Sequence, residues 1–186
     1  MVVPASGFSF SLSAGSKIAS VTDSSTAVTH GTPLTINVKS ISTNDAYFSE
    51  SQRHDGKTGD MYTEFDKVTG TLVMSKIDLD ALALITGNSV ETTGNNKKLK
   101  FNANNLPGYF AFAFRSLYNP GNNLPQKTFF YHKCKITGID FGGGDRAYND
   151  VSVTFDAIPR EYDGEYKDYE FLIATAEITF TDLPAA

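Results

Sequence analysis

Apolar residues recur at every second position along most of this chain, and no other feature constrains its fold as tightly. Successive side chains of a β-strand point to opposite faces, so a strand with one buried face alternates apolar and polar. Leu34, Ile36 and Val38 alternate with Thr35, Asn37 and Lys39, and Val151, Val153 and Phe155 with Ser152, Thr154 and Asp156. Phe130, His132, Cys134 and Ile136 fall on one face of a further segment, with Lys133, Lys135 and Thr137 on the other. Phe8, Phe10 and Leu12 open the chain in the same rhythm, and Val68, Leu72 and Met74 fit a strand interrupted at Gly70. Leu172, Ala174, Ala176, Ile178 and Phe180 predict one extended strand near the end. About seven such segments, separated by Gly, Asn and Pro clusters, make the chain mainly β.

Two segments depart from the rhythm. In residues 109–114 Phe110, Phe112 and Phe114 line one face while Tyr109, Ala111 and Ala113 line the other. A strand apolar on both faces is central or lies beneath a second layer, and its alanines allow close packing. Residues 78–87 instead carry a helix signature: Asp78 in the capping position, Asp80 in the first turn, helix formers, and a stop at Gly87. Leu79, Leu82, Ala83 and Ile85 or Thr86 supply its apolar face, and so short a helix needs a sheet edge to dock on. Residues 43–66 show neither period and read as a long loop; residues 117–127 and 141–150 are also turn-rich. A loop beyond about 12–15 residues is commonly functional. The 43–66 segment carries Tyr47, Phe48, Met61, Tyr62 and Phe65, which makes it a candidate contact surface for another subunit.

Composition excludes several classes. At 186 residues the chain is one domain, and it needs no disulfide staples to support a core. Its single cysteine, Cys134, rules out a disulfide framework or a multi-thiolate metal site within the chain. No apolar run reaches the ~20 residues that span a bilayer, and the amino terminus has no signal-peptide pattern, so a soluble, uncleaved protein without membrane partners is expected. The net charge of −5 argues against wrapping nucleic acid, which needs clustered Lys and Arg.

Catalytic patterns are missing. His54 with Asp55 and Asp60 has the chemistry for a cation or an acid–base pair, but a solvated charged loop accounts for them. His132 and Cys134 share a core-facing strand and read as packing residues. Gly142, Gly143 and Gly144 precede Asp145 and Arg146 without the Lys, Ser or Thr and following helix of a phosphate loop. Asp140, Asp145 and Asp150 have no calcium-loop spacing. Asp156, Glu161, Asp163, Glu165, Asp168 and Glu170 form an acidic run whose simplest account is a solvated hairpin tip around Asp163 and Gly164. The chain is expected to be non-enzymatic, with no cofactor and no metal.

From Val68 through Lys76 to Gly87 a strand runs into an Asp-capped helix that stops at glycine. An apolar strand at 109–114 follows, then Phe129 to Asp140, a glycine-rich turn, and Asp150 to Pro159. In this order of elements the chain resembles the major tail (tail tube) proteins of long-tailed bacteriophages over most of residues 60–186. The resemblance implies a β-sandwich or half-barrel with one flanking helix, six copies closing a ring, and rings stacking into a virion tail tube assembled in the host cytoplasm. It implies partners of the tape-measure, tail-terminator and baseplate or tail-tip kinds, and DNA passing through without specific binding. The 43–66 segment would then reach a neighbouring ring, and Asp156, Glu161, Asp163 and Glu165 would be lumen or surface acids that repel DNA. Two rival classes remain: a non-catalytic β-sandwich binding module using Tyr109, Tyr118 or Tyr148, and a hydrolase built on Glu161 and Glu165.

Overall fold

The computed structural model describes residues 8–11, 15–23, 28–54, 57–75, 78–115, 126–142, 150–158, 160–162, 165–167, 169–174 and 179–182. In chain order these form β1 (Phe8–Ser11), β2 (Ser16–Asp23), β3 (Val28–His30), β4 (Leu34–Ile36), β5 (Val38–His54) and β6 (Lys57–Met74). Helix α1 (Leu79–Thr86) comes next, followed by β7 (Ser89–Thr93), β8 (Asn96–Lys100), β9 (Tyr109–Arg115), β10 (Gln126–Phe141) and β11 (Val151–Ala157). The last four are β12 (Arg160–Tyr162), β13 (Glu165–Lys167), β14 (Tyr169–Ala174) and β15 (Thr179–Asp182).

The main sheet is antiparallel, in the order β3-β2-β9-β10-β11-β6-β5. β4 pairs with β2, while β5, one residue further along the chain, pairs with β6 at the far end of the sheet. Asn37 alone joins them, and its carbonyl accepts a hydrogen bond from the Ser75 backbone N–H at 3.1 Å. A single broken strand therefore belongs to both ends of the sheet, and the wall becomes a barrel. Closure protects edges that a sandwich or half-barrel would leave open.

The alternating residues fill the interior. Val68, Leu72 and Met74 of β6 and Val151, Val153, Phe155 and Ala157 of β11 are fully buried, as are Phe110 and Phe112 of β9. Burial of each large side chain contributes about 1.5–3 kcal/mol. The Phe155 ring lies among Phe110, Phe112 and Tyr131, edge to face, with centroids 5.6–6.3 Å away. Gly70 does not interrupt β6. A β-carbon there would stand 2.4 Å from the tip of the Phe155 ring, so glycine makes room for it within a continuous strand.

β10 corrects the simple alternation. Its ladder to β9 shifts between Tyr131, paired with Phe112, and Cys134, paired with Phe110. The bulge brings both Tyr131 and Cys134 into the core, whereas Phe130 pairs with Ala113 and packs edge-on against His132 at 4.6 Å. Phe130 and His132 are buried too, with Ala19, Ala111 and Ala113, so β9 is covered on both faces as its composition requires. The apolar run near the carboxyl end is two strands: β14 pairs with β10, and β15 pairs with β1 in a separate sheet. Residues 175–178 lie outside the described residues.

Asp78 caps α1, accepting from the backbone N–H groups of Asp80 and Ala81 at 3.0 and 3.2 Å. Gly87 ends the helix at φ 70°, and its N–H returns to the Ala83 carbonyl. The buried face is Ala81, Leu82, Ile85 and Thr86, with Ala81 in place of Ala83. It joins the barrel core and contacts β2, β9 and β10, so the helix covers the middle of the sheet path instead of an edge. Thr86 satisfies its buried hydroxyl by donating to the Leu82 carbonyl at 2.7 Å.

Within the expected 43–66 loop, residues 43–54 and 57–66 are strand. They belong to β5 and β6, which pair from Val38 with Met74 down to His54 with Lys57. Asp55 and Gly56 fall between the last paired residues, and such a dipeptide is the usual two-residue hairpin signal.

Candidate functional site

The β5–β6 hairpin is the element that leaves the barrel. β6 pairs with β11 only from Val68 to Met74. Below Val68, among the described residues, β5 and β6 pair solely with each other. At ~3.3 Å per residue, 47–54 and 57–66 make a two-stranded ribbon roughly 25–30 Å long. Its ladder shifts at Ala46/Tyr47, where it departs, and again at Ser51/Arg53; such irregularities increase local twist. An isolated two-stranded ribbon is marginally stable in water, and its outer edges are templates for another chain.

All five of the expected contact residues lie on this ribbon. Tyr47 pairs with Phe65, Phe48 with Glu64, Glu50 with Tyr62 and Ser51 with Met61, so five consecutive rungs hold them. His54 and Asp60 are also ribbon positions, while Asp55 lies outside the described residues. The acids are dispersed. Asp156 on β11 pairs with Lys67 at 3.0 Å and is partly exposed. Glu161 and Glu165 lie on the β12–β13 hairpin, opposite Tyr166 and Tyr162 respectively, and Asp163 lies outside the described residues. Tyr109 is half-buried, with the Lys133 and Lys135 ammonium groups 4.5 and 5.4 Å from its ring centre. Tyr118, Tyr148 and Asp145 lie outside the described residues.

A second surface was not evident in the sequence. The β7–β8 hairpin packs on α1, and the segment that follows it, residues 101–107, lies against Ile136–Ile139 of β10. Asn88 organises the turn: its side-chain carbonyl accepts from the Asn102 N–H at 3.0 Å and the Asn105 amide at 3.2 Å. Asn102 in turn accepts from the Asn104 N–H at 3.0 Å. Gly87 lets this segment close on the helix, because a β-carbon there would sit 2.6 Å from the Leu106 carbonyl oxygen. The result is a groove of about 530 Å³ between residues 101–107 and Ile136–Ile139 of β10. Phe101 and Phe141 meet edge to face at 6.2 Å yet remain 59% and 50% exposed, and Leu106 is 85% exposed. These are the exposed large hydrophobic side chains among the described residues. The useful signal was the run of asparagines around Phe101, which is turn chemistry.

Charge beside the groove comes from β8. Lys97 pairs with Asp80 at 2.6 Å and Lys100 with Glu91 at 2.5 Å. The Lys100 hydrogen bond holds the Glu91 carboxyl below its ordinary value, and Asp80 raises Lys97. Burial pushes the Cys134 thiol well above its usual range. No group of three or more His, Cys, Asp or Glu suited to a metal occurs among the described residues, and no described helix is long and apolar enough to cross a membrane. A shallow outer groove of about 400 Å³ presents Ser42, Asn44, Thr69, Thr71, Thr137 and Thr154.

No protein-family model matches the sequence, and no curated protein matches it either.

Proposed function

We propose that this chain is the subunit of a phage-type tail tube, assembling as hexameric rings that stack into a conduit for DNA. The observation that carries the reading is the self-paired β5–β6 ribbon, which extends beyond a barrel that is otherwise closed. A closed barrel with a plugging helix is complete as a fold; the ribbon adds no rung to it and is marginal without a partner. Repeated head-to-tail contacts between identical subunits generate a filament. The order of strand, capped helix, apolar strand and long late strands agrees with the resemblance seen in the sequence. A net charge of −5 suits a channel wall from which DNA must slide free. The subunit has no catalytic role in this reading; its partners are further copies and the proteins that start and end a tail.

Electron microscopy of the concentrated protein, with its mass from light scattering, tests this. Rings or hollow tubes are expected, unaided or after addition of a tail initiation complex. A protein that stays at about its 20.2 kDa chain mass under both conditions overturns the reading. The hydroxyl-lined groove over Thr69, Thr71 and Thr154 favours a second reading, a non-catalytic binding module. Saturable glycan binding by a stable monomer, lost in Thr71→Val, would support it instead.

A further inference from the structure

The turn beyond α1 carries side-chain amides that its own hydrogen bonds leave half used. It is anchored to the helix, since the Asn88 N–H donates to the Ala83 carbonyl at 3.1 Å. The Asn88 side chain is fully committed: its NH2 donates to the Thr86 carbonyl at 3.4 Å, and its oxygen accepts from Asn102 and Asn105. Asn102 uses its side-chain oxygen on the Asn104 N–H, which leaves its NH2 without a partner among the described residues. Asn105 uses its NH2 on Asn88, which leaves its side-chain oxygen without one. A donor and an acceptor thus stand on the lining of the groove of about 530 Å³, with the Phe101 ring, 59% exposed, beside them. Among the described residues no Asp, Glu, Lys, Arg or His lines this groove, and Lys97 and Lys100 of the preceding strand are paired with Asp80 and Glu91.

We infer that this groove binds a neutral N-acetylated hexose. An acetamido group presents one N–H and one carbonyl, the complement of the Asn105 oxygen and the Asn102 NH2. Its methyl suits the apolar lining supplied by Ile136, Ile139 and Pro107. The C–H face of a pyranose ring can lie on the exposed Phe101 ring, which Phe141 meets edge to face from outside the lining. An uncharged lining selects a neutral ligand, because a bound ion would lose hydration with nothing to offset it. The groove is also set before any ligand arrives, its lip fixed by the asparagine bonds and its volume that of a pre-formed pocket. Its β10 wall contains the register shift between Ile136 and Gly138, and such bulges recur beside sites. A peptide amide offers the same donor and acceptor but no sugar ring for Phe101. The inference does not depend on the tube reading, and the groove shares only Thr137 with the one over Thr69 and Thr71.

Calorimetric titration of the full-length protein with chitotriose, a chain of N-acetylglucosamine units, tests this. Saturable binding is expected. Cellotriose, with hydroxyls in place of the acetamido groups, and N-acetylglycine N-methylamide, with the amide but no sugar ring, should each bind about tenfold more weakly or worse. Asn102→Asp keeps the bond from the Asn104 N–H and exchanges the unused NH2 for an oxygen; it and Phe101→Ala should each cost about tenfold or more in affinity. Phe101→Tyr should bind like the parent, as should Thr71→Val. Melting temperatures should stay near that of the parent, because Phe101 and Asn102 are exposed. Backbone amide signals of residues 101–107 and 136–139 should move in NMR spectra as chitotriose is added. No saturation up to millimolar chitotriose, equal binding of either control, shifts that map elsewhere, or loss of binding in Thr71→Val overturns the inference. Rings or tubes in micrographs are a separate readout, so the tube reading stands or falls on its own.

Discussion

Gly70 lies against the ring of Phe155 on the barrel's inner face, and the consequence is measurable. Gly70→Ala puts a methyl group into space the ring occupies and should destabilise the protein by about 1–3 kcal/mol. Adding Phe155→Leu should recover part of that loss in urea melts, and a double variant no better than the sum of the singles would count against the contact. In the sequence Gly70 looks like a break because a missing side chain is visible and the ring that fills its place is not. The Glu91–Lys100 pair permits a pH experiment. Lys100→Met should return the Glu91 pKa upward toward 4.5 in an NMR titration. The sign follows from a lowered acid: the pair's contribution is present above the unfolded carboxylate pKa and fades as pH falls through the lower folded value. Both groups are about half exposed, so added salt should shrink the difference further.

The elements show where hydrophobic period succeeds and where it fails. Alternation appears when a core covers one face, so β4, β6 beyond Val68 and β11 were legible, and β9 was legible by its two apolar faces. The ribbon has no core of its own to impose a period, and a polar strand pair then resembles a loop of the same composition. Asp55 and Gly56 were the available clue, as were Gly94 and Asn95 between paired Thr93 and Asn96 in β7–β8. Replacing residues 47–66 with an Asn-Gly turn joining Ala46 to Lys67 should preserve the fold, because those two residues already pair. Its far-UV circular dichroism and melting should stay near those of the parent, while rings or tubes vanish from micrographs. Normal tubes from this variant would remove the ribbon from assembly. The helix was legible nearly to the residue because its Asp78 and Gly87 caps are local, whereas its dock on β2, β9 and β10 is not.

At the level of the molecule, the barrel buries Cys134 completely and raises its thiol pKa by desolvation. A thiol reagent should therefore label it at least about a thousandfold more slowly than a free cysteine, and at a rate that follows global unfolding in urea. Fast labelling in native buffer would show that the wall opens locally at β10. The linear chain already contained the strand class, the capped helix and the core positions of β6 and β11, because each depends on neighbours within a few residues. It also placed Tyr47, Phe48, Met61, Tyr62 and Phe65 in one segment without revealing that the segment is a ribbon. Barrel closure at Asn37, the bulge that turns Tyr131 and Cys134 inward together, and the edge-to-face contact of Phe101 with Phe141 had no such local mark. Each depends on pairing between residues far apart in the chain, and that register is chosen by the packing of the whole core.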